Sequence, residues 1–340
     1  MGTNETILLQ AQAGLEATRG TNVAATRKVY AQITPSYTRA LMDFMDTSGT
    51  FHGRRRAAYG RAKVGFTALD ICTYEDLPWW LQMGLKGGVA GAGDGGAPIA
   101  YLYTFNPTIT SDDLKSMTLE FGETNNDYES GQVMVNSFTL RMDSDNDSEP
   151  GWMIDLELLG RDWETTTFTG ALADRSTEVI LARGTSLYID AAGGTIGTTA
   201  VTGKLISCSL TVNNNLHYKS FAEDVTYVAA NKVGRQAQTL DAQFTFEFDD
   251  DTEFANYRTT TTPIQRKVRI KRVGTEIHSG VPTATKDKYM EIDLYGYWNS
   301  WSRGDREGNL TATFGFAGFY DITATKTFSI AVNNALSTLP

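Results

Sequence analysis

GFTALDICTYEDLPWW, residues 65–80, and QFTFEFDDDTEFANY, residues 243–257, are the two stretches on which the fold turns. Phe66-Thr67 falls on Phe244-Thr245, Glu75 on Glu253 and Trp79 on Tyr257, each 178 positions apart. Both stretches read as a strand followed by a short acidic, aromatic run able to start a helix. A second pair of strands, Met153–Gly160 and Thr311–Gly318, matches at an offset of 158. The 20-position shortfall is explained by a Gly-rich insertion, KGGVAGAGDGGAP at 86–98, present only in the first copy. The chain is therefore read as two similar β-rich halves. Such a repeat places similar surfaces around an axis and points to assembly before catalysis.

Outward from the repeat, residues 1–25 are polar and Thr/Ala/Gly-rich and read as an N-terminal arm. Residues 26–163 form the first expected domain, 164–184 a Thr-rich, charged connector, and 185–340 the second domain. Within each domain, runs such as KSMTLEFGE, WMIDLELLGRDW, KLISCSLTV and NLTATFGFAGFYD show the two-residue alternation of strands. Pro78 in a first turn and Gly84 as a stop predict a helix over Asp76–Met83. Asp249-Asp250-Asp251 predicts a capped helix start near Thr252. The arm and the Gly-rich loop have no core of their own and are expected to order on neighbouring copies.

Composition narrows the function. With 340 residues and 41% hydrophobic content the chain can bury a substantial core. A formal net charge of −10 argues against a nucleic-acid coat, which needs basic groups to displace counterions. Two cysteines, Cys72 and Cys208, are too few for a disulfide framework or a thiolate metal site. No run of about 18 apolar residues predicts a membrane span, and the N-terminus lacks the basic region of a signal peptide. Met1-Gly2 with Thr6 fits the loose N-myristoylation pattern, without the polybasic patch that would support it.

Candidate chemical motifs each have a plainer reading. Gly91, Gly93 and Gly96 spell a dinucleotide fingerprint, but Pro98 and a strand follow where a helix is required. Asp143, Asp145 and Asp147 resemble a calcium loop that then has Ser148 and Ile154 in place of its Gly and Glu, so a solvated hairpin tip is expected. Arg266–Arg272 is strongly basic. On strands, Lys267, Arg269 and Lys271 would face Glu291 and Asp293, and cross-strand ion pairing accounts for the run without nucleic acid. His52, His217 and His278 are scattered. Asp155 and Glu157 share a strand face, as carboxylates of acidic β-proteins often do, and a glycosidase pair is not indicated. The residues point to a non-enzymatic protein with no cofactor and no metal.

The segment Glu16-Ala-Thr-Arg-Gly20-Thr21-Asn-Val23-Ala-Ala-Thr26-Arg-Lys-Val-Tyr30 resembles the N-terminal signature of the tail tube (major tail) proteins of long flexible-tailed bacteriophages. FTALDICTYEDLPWWLQ, MIDLELLGRD and FTGALADRS resemble the same family. The resemblance implies a mostly β fold: two tandem tail-tube-like β-sandwich or curved-sheet domains, each with one short helix, contributing to a closed 24-strand barrel in a ring. It implies a virion structural protein, made in the host cytoplasm, whose stacked rings conduct DNA into the host. Its partners would be further copies of itself, a tape-measure protein, tail terminator and distal tail or baseplate proteins, and double-stranded DNA in transit, with no membrane. The duplication suggests homotrimeric rings with pseudo-sixfold symmetry, with hexameric rings as the alternative. Asp155, Glu157, Glu291 and Asp293 are the acids expected to face the lumen. A tandem β-sandwich adhesin on the virion surface, or a β-rich carbohydrate-active enzyme, are the competing readings.

Overall fold

The computed structural model describes residues 8–339 apart from 46, 48, 50, 52–53, 92, 97, 108–113, 124–125, 203, 223–231, 250, 259–260 and 280–285. The first half contains β1 (Gln10–Leu15), β2 (Arg27–Val29), β3 (Gln32–Met45), β4 (Arg54–Ile71), α1 (Leu77–Gln82), β5 (Gly87–Ala90), β6 (Tyr101–Phe105), β7 (Met117–Glu123), β8 (Asn126–Asp143), β9 (Met153–Gly160) and β10 (Glu164–Thr165). The second contains β11 (Thr185–Ala191), β12 (Ala200–Val201), β13 (Leu205–Asn213), β14 (Leu216–Tyr218), β15 (Val233–Arg235), β16 (Thr239–Glu247), α2 (Thr252–Arg258), β17 (Arg266–His278), β18 (Lys286–Arg306), β19 (Asn309–Gly318) and β20 (Phe328–Asn334).

The repeat appears directly in the strand order. β3-β4-β9-β8 lie side by side in the first half, and β13-β16-β19-β18 in the second. Antiparallel pairing of β8 with β13, from Ser137↔Asn213 to Asp143↔Ser207, joins the two sets into one sheet. Phe66 on β4 and Phe244 on β16, the matched residues of the repeat, are both buried on its apolar face.

β8 and β18 are long because each serves two layers. The start of β8 pairs with β7, and its remainder with β9 and β13. It turns between them at Gln132, a buried non-glycine residue with φ of 53°, a strained backbone held by its surroundings. The start of β18 pairs with β17 and β20, and its end with β19, across an irregularity between Trp298 and Ser300. Strand irregularities of this kind bend a strand from one sheet to another. The second layer is thus β2-β1-β7-β8-β10 in the first half and β12-β11-β17-β18-β20-β6-β5 in the second. Between the layers lies one continuous core. Phe66 meets Phe121 across it with ring centres 5.0 Å apart, and Phe244 lies against Trp298 and Phe316.

Three expectations change. The closed barrel is not present: β3 pairs only with β4, the end of β18 only with β19, and no pairing among the described residues links these outer strands. The sheets are open, with two short helices, and the halves share one sheet. Closure requires hydrogen bonds between first and last strands, and here those strands end the row on opposite sides. The arm is also not separate, since residues 10–15 form β1 between β2 and β7. Its small residues suit a tight site, and a Cβ on Gly14 would lie 2.4 Å from the Ala24 carbonyl oxygen. The Glu16 carboxylate accepts from Gly20 N, Ser116 Oγ and Gln132 N, each at 2.6 Å, and so fixes the turn after β1. Finally, the described residues of the Gly-rich insertion pack within the chain. It runs through β5 towards β6, which pairs with β20 of the other half.

Candidate functional site

The strands of the repeat together build one surface, the outer face of the shared sheet. Residues directly opposite in antiparallel strands point the same way, so the register identifies what this face displays. One row runs Thr34, Thr67, Glu157, Ser137, Asn213, Thr239 across six strands. Another runs Asp143, Ser207, Thr245, Thr313, Ser302. Hydroxyls touch each other along it, Thr139 to Thr211 and Thr245 to Thr313, both at 2.9 Å. The charges on it are few and of both signs: Asp143, Asp155, Glu157, Asp241 and Glu247 against Lys63, Arg141 and Arg306. The opposite positions of the same strands are Phe, Leu, Val and Ala, which explains the alternation: one face must enter the core and the other must stay wet.

The four acids singled out in the sequence fall in two places. Asp155 and Glu157 stand on this polar face. Asp155 accepts from Arg141 Nε at 2.8 Å, and Glu157 accepts from Ser137 Oγ at 3.0 Å. Arg141 also grips Glu149, and those carboxylate bonds raise its pKa above the ordinary value and lower that of Glu149. Glu291 and Asp293 belong to the second layer instead. Arg269 donates to both oxygens of Asp293 at 2.6 and 2.8 Å, and Lys271 lies 3.1 Å from Glu291. Arg269 and Lys271 of the basic run are taken up by cross-strand pairs in the register Arg269↔Asp293 and Lys271↔Glu291, as the alternation suggests, while Lys267 and Arg272 donate to the Gly194 and Leu181 carbonyls. The bond to Asp293 raises the Arg269 pKa further.

The remaining motifs are structural. The loop holding Gly91, Gly93 and Gly96 leads into β6, and the Asp94 carboxylate accepts from Gly96 N and Ala100 N at 3.0 Å. His278 Nε2 lies 2.6 Å from the other Asp94 oxygen, and this hydrogen bond lowers the Asp94 pKa to about 2. His217 is exposed on β14, and His52 lies outside the described residues, as does the Met1-Gly2-Thr6 pattern. Asp145 at the β8–β9 turn pairs with Arg306 at 2.6 Å. Among the described residues no group of three or more His, Cys, Asp or Glu side chains is placed to hold a metal, and no helix is long and apolar enough to cross a membrane. Cys72 and Cys208 are free and buried, and burial raises both thiols above their ordinary pKa.

Sequence reasoning concentrated on charged residues and missed the hydroxyl-rich rows. Their signal was present as the polar positions of KLISCSLTV and LDAQFTFEF, but only the β8–β13 pairing shows that they form one surface. No protein-family model matches the chain, and no curated protein matches it.

Proposed function

We propose that this chain is the repeating subunit of a self-assembling tube, a phage tail tube, in which three copies form each ring and rings stack into a conduit for DNA. The observation that carries the reading is the duplicated order β3-β4-β9-β8 and β13-β16-β19-β18 in one open sheet. Two equivalent sets of strands per chain supply six equivalent sectors from three chains. The outer strands β3 and β18 leave unpaired backbone groups, which natural sheets cover.

In this reading the hydroxyl-rich face lines the passage. Phosphate is held by displacing counterions from clustered cations. A wall of Thr, Ser, Asn and Gln with mixed charges offers little such attraction, so a duplex passes without specific binding. The tape-measure, terminator and distal tail proteins are the partners of this assembly, and the virion is its location. Electron microscopy of the purified protein tests the reading. Stacked rings with an open centre and a three-copy native mass for the smallest ring are expected. A chain that stays monomeric at high concentration, or that binds or cleaves glycans, overturns it.

A further inference from the structure

β3 and β4 extend past the body of the protein as a free ribbon. β4 pairs with β9 only from Val64 to Ile71, so among the described residues the strand pairing of 39–45 and 54–62 is with each other, and Arg61 ties the root of the ribbon to the Phe221 carbonyl. Both faces of the ribbon carry exposed apolar side chains, with Arg39 over the Tyr59 ring and Arg56 over the Phe44 ring. Leu41 and Tyr59 stand on one face, 56% and 67% exposed, and Met42 and Phe44 on the other, 66% and 63% exposed. A lone two-stranded ribbon is marginal in water, and one with apolar side chains on both faces gains most by being covered. It is also a basic segment of an acidic protein. Between Tyr37 and Lys63 the sequence has six Lys or Arg and two Asp, in a chain of net charge −10.

A surface of matching chemistry lies at the ribbon's root. A groove of about 930 Å³ is lined by Val29, Ile33, Pro35, Phe121, Tyr128 and Trp163. Trp163 packs edge-on against Phe121 and Tyr128, with ring centres 4.9 and 5.4 Å away. Glu123 lines the groove as well, with Glu129 and Glu164 on the strands next to it. The ribbon cannot fill its own groove. Pro35 lines the groove and Phe44 is nine residues farther along an extended strand, roughly 30 Å away.

We infer that the ribbon of one copy seats in this groove of a second copy, its aromatic and aliphatic side chains against the Phe121–Trp163 wall and its arginines towards Glu129 and Glu164. Donor and acceptor are different patches of the same chain, so the contact is heterologous and repeats in one direction, closing a ring or continuing a stack. The inference rests on the self-assembly reading and names the surfaces that carry it.

A photo-reactive benzoylphenylalanine in place of Phe44 tests it, read by mass spectrometry of the cross-linked full chain. Cross-links between copies to residues 28–35, 121–128 or 163 are expected. The paired change Met42→Ser with Phe44→Ser should raise the concentration needed for assembly at least tenfold while circular dichroism stays unchanged. Rings that assemble with cross-links elsewhere, or normal assembly of the doubly substituted chain, overturn the inference and leave the proposed function standing. A wild-type chain that never assembles overturns both. Cross-linking to vesicles of phosphatidylglycerol by a monomeric chain overturns it too, and assigns the ribbon to a membrane surface.

Discussion

α1 and α2 each follow a buried Phe-Thr strand of the repeat, yet every residue of α1 is buried and none of α2 is. Their surroundings differ in kind. α1 carries Trp79 and Trp80, and near it run β5, β6 and the segment 174–182. α2 lies on the surface, with Phe254 against Trp301 of β18 at 4.2 Å. Each half places an arginine against the acid that starts its helix. In the first half Arg27 pairs with Asp76 and lies over the Trp79 ring, with Arg175 2.8 Å from the same carboxylate. Asp76 occupies the N-cap position but makes no side-chain cap bond, and both arginines donate to its Oδ1. Burial, with Arg175 alongside, lowers the Arg27 pKa to about 10, so it stays charged at neutral pH. In the second half Arg266 reaches Glu253 at 3.0 Å, and Trp298 Nε1 donates to the same oxygen at 2.7 Å. The same local plan is a cornerstone in one half and a surface feature in the other. What a duplicated helix contributes is set by what later covers it.

The comparison can be broken at the tryptophans first. Trp79→Ala should lower unfolding free energy by about 4 kcal/mol, the cost of emptying a filled aromatic site, whereas Phe254→Ala should cost about 1 kcal/mol for its half-buried ring. Urea titration of the two variants checks this, and equal losses would remove the distinction between the helices.

The ion pairs come next. Asp76→Asn leaves the buried Arg27 and the half-buried Arg175 without their counter-charge and should cost about 3 kcal/mol or more. Glu253→Gln keeps an amide oxygen to accept from Arg266 and Trp298 at a half-buried position and should cost less, about 2 kcal/mol. Thermal melts of both variants, with Arg266→Gln as a partner control, give the ranking.

A pH titration sharpens the contrast. Burial raises the Asp70 carboxyl from 3.8 to about 6, offset in part by the bond from Trp80 Nε1. The unfolded chain releases this proton near pH 4 and the folded chain only near pH 6. Stability therefore falls as pH rises between these values, by about 3 kcal/mol, and is level above. Asp70→Asn should abolish that fall, leaving the variant more stable than wild type at pH 8 but not at pH 4. A wild-type profile that is flat from pH 4 to 7 would contradict this.

The smallest effect is expected where the Gly-rich insertion is tied to the second half. Asp94→Ala removes the acceptor for Gly96 N, Ala100 N and His278. Hydrogen exchange of those two amides should quicken at least tenfold with little change in melting temperature, because the site is a surface tether.

Much of this architecture could be read from residue order. Alternation in residues 153–160 and 311–318 placed strands, Pro78 placed the first helix, and Arg269 and Lys271 named their own cross-strand partners, whereas Lys267 stands opposite Tyr295 and donates to the Gly194 carbonyl. These features depend on neighbours within a few residues or on one hairpin, where side-chain direction follows from strand geometry alone. Tertiary structure decided the rest. Gln10–Leu15 has too few large apolar residues to announce a strand, and becomes one because β2 and β7 leave a narrow slot that small residues fill. The seam between β8 and β13 joins residues about 70 positions apart, and β6 reaches β20 more than 220 positions away. No local pattern encodes which of several compatible edges a strand will choose, since that choice depends on the edges other strands have already taken. The hydroxyl-rich face, the open ends of the shared sheet and the unequal fates of α1 and α2 all follow from those distant pairings.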